Sequence, residues 1–156
     1  MMGLLAALAC GAPPSVVPVA TDRSPRPPFT PAAEAAYVGA QACAGCHPAA
    51  SATWARTAHA HAREVLLERS RGWDPTCLRC HVTGLGLGGW DPAHDEPLGR
   101  VTCEACHGPA GGHVAAPDAA YGRLPGGPAA CVPCHTPDNS PDFRWGSYWA
   151  QVAHGR

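Results

Sequence analysis

Two cysteines and a histidine recur at one fixed spacing four times along the chain. The pattern Cys-x-x-Cys-His occurs at 43–47, 77–81, 103–107 and 131–135. Two thiols three residues apart have the spacing needed to form thioethers with the two vinyl groups of a haem, and the histidine that follows then lies beneath the iron as its proximal ligand. The pattern predicts four covalently bound c-type haems. The predicted attachment residues are Cys43, Cys46, Cys77, Cys80, Cys103, Cys106, Cys131 and Cys134, and the predicted proximal ligands are His47, His81, His107 and His135.

Zinc is the alternative cofactor for these cysteines. Four CxxC pairs could form two Cys₄ zinc sites, and this arrangement is a strong zinc signal in cytosolic proteins. Histidine accounts for only 9 of the 156 residues, so its presence directly after all four pairs is not expected by chance. Zinc does not require a histidine at that position, whereas haem attachment does. The sequence therefore favours haem.

The composition leaves little material for an ordinary apolar core. Glycine and proline contribute 18 residues each, and only 6% of the chain is aromatic. Such a composition is close to that of disordered chains. The motif histidines are only 34, 26 and 28 residues apart, so four haems would have to crowd together. We predict a small, mostly α multihaem cytochrome c with extensive loops, whose core is formed by four closely packed haems.

The N-terminal region predicts export from the cytoplasm. Residues 1–10 form a short apolar run that resembles an export signal, too short to span a bilayer. The run ends at Cys10 and loosely resembles a bacterial lipobox, so lipidation of Cys10 and ordinary cleavage nearby both stay open. Residues 11–34 contain seven prolines and predict a semi-extended tether. The haem domain is predicted at 35–156, in the periplasm, as a free protein or a membrane-anchored lipoprotein.

One longer helix is predicted, from about residue 50 to residue 71, with Ser51 as its cap and Gly72 as its stop. Its buried face is predicted to consist of Trp54, Ala58, Ala62, Val65 and Leu66. On such a helix His59 and His61 are separated by about 200° and lie at opposite margins of the buried face. Helical periodicity therefore does not choose between them as iron ligands.

Histidine is also the predicted source of the sixth iron ligands. The only methionines are Met1 and Met2, in the predicted export signal, which leaves bis-histidine ligation or an open coordination position. His113 lies six residues after His107, too few to pass round the rim of the same haem, so it should ligate a different one. The remaining histidines outside the motifs are His59, His61, His94 and His154.

The charged residues give weaker information. The net charge is −1 and no basic cluster is present, so nucleic acid is not an expected partner. All eleven cationic residues are arginine. This bias reflects either base composition or guanidinium groups that pair bidentately with buried carboxylates.

The sequence segments around the motifs resemble those of a known family. The segments CAGCHPAASATWARTAHAHA, CLRCHVTGLGLGGW and GRVTCEACHGPAGGH, followed by a fourth CxxCH, resemble the tetrahaem cytochrome c-554 family. The resemblance implies that His113 ligates the first haem opposite His47, and that the second haem, on His81, is five-coordinate. It also implies that His59, rather than His61, ligates the third haem opposite His107. The fourth haem, on His135, is then ligated by His154, and His94 is expected at the surface.

The same resemblance implies electron transfer between redox partner proteins whose identities the sequence does not give. We therefore expect an electron carrier rather than an enzyme. The alternative is a reductase or sensor that binds a small nitrogen-oxide-type ligand at the open second haem. Catalysis would also need proton donors, for which the acidic loop with Asp91, His94, Asp95 and Glu96 is available, although such loops are more often simply solvated.

Overall fold

The computed structural model describes residues 36–93, 96–124 and 126–155. The predicted export signal at 1–10, the predicted tether at 11–34 and residue 35, the predicted start of the domain, lie outside this part, as do His94 and Asp95. The described residues form short helices joined by turns, with no strand, which confirms the prediction of a mostly α fold with extensive loops. No helix in this part is long and apolar enough to cross a membrane.

The helices are short and follow the motifs. The α-helices are α1 (Gln41–Ala44), α2 (Pro48–Trp54), α3 (Glu64–Glu68), α4 (Pro75–His81), α5 (Cys103–His107), α6 (Gly111–Ala115) and α7 (Trp145–Val152), and 3₁₀-helices span Ala58–His61 and Gly127–Ala130.

The prediction of one continuous helix over 50–71 is wrong. The segment contains α2, the first 3₁₀-helix and α3 in succession. Helix α2 ends at Trp54. The helical path breaks at Thr57, because the Thr57 backbone is extended (ψ 159°) and its hydroxyl donates to the Trp54 carbonyl at 2.7 Å. The indole N–H of Trp54 in turn donates to the Val101 carbonyl at 2.8 Å. A contact with a distant part of the chain therefore fixes the break.

The buried face of this segment also differs from the predicted one. Its buried residues are Thr57, Ala60, Arg63 and Leu66, so burial recurs every third residue. A period of three is that of a 3₁₀-helix rather than an α-helix. Of the predicted buried face only Leu66 is buried, and Val65 is exposed.

The apolar core of the described residues is small. It consists of Leu66, Leu78, Val82, Trp90 and Leu98, with Tyr37, Cys77 and Leu85 packed against it. The guanidinium of the buried Arg63 lies over the rings of Trp73 and Trp90, at 4.7 and 5.3 Å from their centroids, where it makes cation–π contacts. This core is built around α3, α4 and the loop that follows α4, and it therefore supports the second motif.

Thr83 connects the second motif to the third. Its side chain is fully buried, its hydroxyl donates to the Arg100 carbonyl at 2.7 Å and accepts the Thr102 N–H at 2.8 Å. Thr102 is the residue immediately before α5. One hydroxyl thus satisfies a backbone carbonyl and a backbone N–H in residues 100–102, the segment that leads into the third motif.

We predict that Thr83→Val destabilises the folded holoprotein by about 1–3 kcal/mol, because the isosteric change leaves a buried N–H and a buried carbonyl without partners. Thr83→Ser keeps the hydroxyl and serves as the control, with a smaller loss. The measurement is the denaturant midpoint of each variant. Equal midpoints for the valine variant and the parent protein would contradict this role of Thr83.

Candidate functional site

Each Cys-x-x-Cys-His motif forms a single helical turn. The backbone N–H of His47 donates to the Cys43 carbonyl at 2.8 Å, and that of His135 donates to the Cys131 carbonyl at 2.9 Å. The second motif is the last part of α4, and α5 coincides with the third motif. Because residues i, i+3 and i+4 share one face of a helical turn, each motif presents both thiols and its imidazole on the same side.

The motif cysteines lie near one another. The thiols of Cys43 and Cys103 interact, which raises the pKa of Cys43 and lowers that of Cys103, and Glu104 beside Cys103 accepts the Gly39 N–H that precedes the first motif. The nearby Cys134 is the main cause of the lowered pKa of Cys80, about 7. The first motif therefore lies beside the third, and the second beside the fourth.

The third and fourth motifs are also near each other. The pKa of the half-buried Cys106 thiol is raised to about 11, mainly by burial and to a smaller extent by the nearby Cys131. Cys106 belongs to the third motif and Cys131 to the fourth. The spatial order of the motifs is therefore first, third, fourth, second, which differs from their order in the chain.

Three of the four motif histidines face a second histidine. The ring centroids are 6.4 Å apart for His47 and His113, 6.1 Å for His59 and His135, and 5.9 Å for His107 and His154. A metal–imidazole bond is about 2 Å long, so two imidazoles on opposite sides of one metal ion place their centroids about 6 Å apart. All three pairs have the separation that axial ligation of one iron requires.

The Nδ1 atoms of several of these histidines are held by hydrogen bonds. Nδ1 of His81 donates to the Ala62 carbonyl at 2.6 Å, and Nδ1 of His107 donates to the Gly122 carbonyl at 2.6 Å. Nδ1 of His154 likewise donates to the Val152 carbonyl at 2.9 Å. A carbonyl oxygen only accepts, so in each ring Nε2 keeps its lone pair for a metal.

Gly122 is the residue whose backbone carbonyl accepts the hydrogen bond from His107. Its φ is +64°, and a Cβ at this position would lie 3.0 Å from both Cβ and Nδ1 of His107. Only glycine combines this backbone conformation with the space that the imidazole occupies. The carbonyl can therefore approach the ring closely.

Burial keeps three of the paired rings neutral. Burial lowers the pKa of His59, and the nearby His135 and His81 lower it further. Burial is also the main cause of the lowered pKa of His107 and the cause of the lowered pKa of His135. A neutral imidazole has the lone pair that binds iron, so the environment favours the ligating form.

Aromatic side chains fix two of the rings, and the sequence did not indicate them. His135 stacks on Phe143 at 5.0 Å and meets Tyr148 edge-on at 5.3 Å. His113 stacks on Tyr121 at 4.5 Å and 13° between the ring planes. His113 also differs in its hydrogen bonding, since its Nδ1 accepts the Asp118 N–H at 3.1 Å. The spacing of Phe143 and Tyr148 gave no signal, because one lies in a turn and the other on α7.

The structure separates the roles of His59 and His61. His59 is partly buried against His135, whereas His61 is exposed and its Nδ1 lies 2.9 Å from the Glu64 carboxylate. The 3₁₀-helix that carries both residues turns more tightly than the predicted α-helix. Of these two residues, His59 is the one in position to face a motif histidine.

The expected pairing of the third and fourth motifs is corrected by this geometry. The resemblance implied His107 with His59 and His135 with His154, but the structure places His59 opposite His135 and His154 opposite His107. The physical reason is the spatial order of the motifs. The fourth motif adjoins the second, and His59 lies near the second because Ala62, at the end of the 3₁₀-helix that carries His59, accepts the hydrogen bond from His81 at 2.6 Å. The expected pair of His47 and His113 does lie face to face.

His81 has a different environment from the other motif histidines. It makes no ring contact with a second histidine in the described part of the chain, and its Nδ1 is held by Ala62. His94 lies outside the described residues. The prediction of a five-coordinate second haem remains a prediction.

The motif cysteines do not form the clusters expected of the zinc alternative. Within the described ranges, no three or more histidine, cysteine, aspartate or glutamate side chains converge so as to hold a metal ion. The eight motif cysteines form no disulfide. The fit of the site to haem rests on the separation of the three histidine pairs and on the Nδ1 hydrogen bonds of His81, His107 and His154, which leave Nε2 of those rings available.

Comparison with known proteins gives a consistent result. The family model for cytochrome c554 and c-prime matches residues 42–108, which contain the first three motifs. Cytochrome c-554 of Nitrosomonas europaea is 37% identical over 95 residues, corresponding to 50% of this chain and 40% of that protein. The matched region thus spans less than half the length of this relative. No solved structure matches the chain.

We predict that His59→Ala adds a second high-spin iron to the electron paramagnetic resonance spectrum of the oxidised holoprotein, which should otherwise show three low-spin centres and one high-spin centre. His61→Ala, on the same turn, should leave the parent spectrum unchanged. Nuclear magnetic resonance contacts from the altered haem to Phe143 and Tyr148 would assign the new high-spin centre to the fourth motif.

Two results would contradict this ligand set. A second high-spin centre in the His61 variant would exchange the roles of the two histidines. Four low-spin centres in the parent protein would show that the second haem is closed by a sixth ligand, with His61 and His94 as the available histidines.

Proposed function

We propose that this chain belongs to the cytochrome c-554 family, whose model matches residues 42–108, and that it relays electrons through four covalently bound c-type haems. The family supports a haem-based electron-transfer role and implies covalently attached haem c. The matched segment ends before the fourth motif, so the proposal of a fourth haem rests on residues 131–135.

The observation that carries the proposal is the set of three histidine pairs at 5.9–6.4 Å. Each pair contains a motif histidine, so a covalently attached haem would already lie beside it. Bis-histidine ligation leaves no open position on the iron for a substrate. A protein that closes most of its irons in this way is suited to electron transfer rather than to substrate chemistry.

The residues have distinct roles in this proposal. When bound, haem c supplies reversible one-electron chemistry at iron. The eight motif cysteines would attach the four groups covalently, and the motif histidines would each supply one iron ligand. The second ligand would come from His113 for the first motif, His154 for the third and His59 for the fourth. The carbonyls of Ala62 and Gly122 hold the rings of His81 and His107 in the ligating orientation.

The contacts between motifs support a relay with two ends. Cysteines of neighbouring motifs influence one another electrostatically in the order first, third, fourth, second, so groups attached to these motifs would be close neighbours. The first and second motifs are the ends of this series. We propose that one redox partner docks near the first motif and another near the second.

The ligand chemistry indicates low reduction potentials. Methionine ligation raises the potential of a c-type haem, and the only methionines are Met1 and Met2. Neither belongs to the proposed haem domain at 35–156. Histidine at both axial positions should therefore keep the three closed irons at comparatively low potentials.

We place this relay outside the cytoplasm. The cytochrome c-554 relative suggests an extracytoplasmic protein. The finer proposal is a periplasmic domain at 35–156, joined by the tether at 11–34 to an export signal at 1–10. Lipidation of Cys10 would anchor the domain to a membrane, and ordinary cleavage would release it.

A second function is supported by one feature, the absence of a histidine ring facing His81 in the described ranges. An open iron at the second motif could bind a small nitrogen-oxide-type ligand, as a reductase or a sensor would. The relay remains our conclusion, because an open position can also result from packing alone and is weak evidence for catalysis.

We predict that the reduced protein, mixed anaerobically with nitric oxide, nitrite or hydroxylamine in separate runs, shows no repeated turnover. Each haem holds one electron, so oxidation should stop at about four electrons per chain. A physiological acceptor should reoxidise the protein fully. Stopped-flow absorbance and product analysis measure both results.

The contrary result is sustained consumption of one of these compounds. A variant in which Cys77 and Cys80 are both changed to alanine, and which therefore lacks the second haem, is the control. Turnover that disappears in this variant would make the protein an enzyme with its active site at His81.

A further inference from the structure

Glu104 is a buried carboxylate inside the third motif. Its side chain belongs to a residue that is only 2% exposed, and it follows Cys103 directly on α5. Haem attachment does not require an acidic residue at this position, because the two intervening residues of the motif are variable. Haem attachment alone therefore does not explain why a buried glutamate lies at this position.

Backbone amides surround both oxygens of this carboxylate. The Val38 N–H lies 3.0 Å from Oε1 and 3.2 Å from Oε2, the Gly39 N–H donates to Oε2 at 2.8 Å, and the Ala110 N–H donates to Oε1 at 2.8 Å. Amides only donate, so both oxygens act as acceptors. This is the behaviour of an ionised carboxylate, and the site holds a buried negative charge.

The three amides belong to segments that hold both ligands of the first haem. Val38 and Gly39 precede α1, which carries Cys43, and Ala110 is the residue immediately before α6, which carries His113. One carboxylate on the third motif therefore fixes the approach to the first motif and the start of the helix with the opposing histidine. It can act on His47 and His113 through these segments.

The carboxylate also lies close to the attachment residues of both motifs. Glu104 follows Cys103 of the third motif directly, and its oxygens accept the Val38 and Gly39 amides, which precede Cys43 of the first motif. Burial raises the pKa of the Tyr37 phenol, and the Glu104 carboxylate is the next cause.

We propose that Glu104 is a positioning and potential-setting residue, a fixed buried anion that joins the first and third motifs and lowers the reduction potentials of the two haems attached there. A negative charge in a poorly screened interior favours the more positive, oxidised iron. The inference rests on the proposed function, because it requires haems at these motifs.

The test is a spectroelectrochemical titration of the holoprotein with Glu104→Gln, Glu104→Asp and Glu68→Gln. The glutamine variant removes the charge and should shift the midpoint potentials of two of the four haems upward. The aspartate variant keeps the charge and should restore most of that shift. Glu68 is exposed, so the same substitution there should leave all four potentials unchanged.

The outcomes separate this inference from the proposed function. A parent protein without attached haem would contradict the proposed function itself. A parent protein with four haems, and a Glu104→Gln variant with the same four haems and unchanged potentials, would overturn only the role of Glu104. A purely structural role would lower haem content or stability without moving two potentials selectively.

If the glutamine variant does not mature, the infrared difference spectrum between oxidised and reduced parent protein tests whether Glu104 is ionised and responds to the haems. With ¹³C-labelled glutamate, we expect an ionised carboxylate band that shifts on reduction. A glutamate band in the protonated carboxyl region, or no glutamate band at all, would overturn the proposal.

Discussion

The structure is organised around facing pairs of imidazoles, whose ring centroids lie about 6 Å apart, the separation that two ligands of one iron would need. Three such pairs join parts of the chain that are distant in sequence: His47 with His113, His135 with His59, and His107 with His154. Apolar side chains join few of these distant parts, since the hydrophobic cluster in the described part of the chain has five buried members. Ligation would therefore replace the apolar contacts that a domain of this size normally uses.

The features that the sequence could predict are those that depend on the spacing of residues close together in the chain. A helical turn brings residues i, i+3 and i+4 to one face, so the four motifs and their proximal histidines could be recognised without any tertiary information. The continuous helix over 50–71 was wrong because Trp54 bonds to Val101 and Thr57 closes the turn, and neither contact is visible in hydropathy.

The pairing of distal histidines could not be derived from spacing, because it is set by the order of the motifs in space. His59 lies nearer in sequence to the third motif than to the fourth, yet it faces His135. Glu104 is a similar case. Its place inside a motif was visible, but its amide partners at 38, 39 and 110 come together only in the folded chain.

We propose that this chain is organised by four covalently attached haems. The mass of the intact protein, measured under denaturing conditions after production with a cytochrome c maturation system, tests this proposal. We expect the mass of the mature chain plus four haems, and an unfolded polypeptide when the maturation system is absent. A folded protein that carries zinc, or one with fewer than four attached haems, would contradict it.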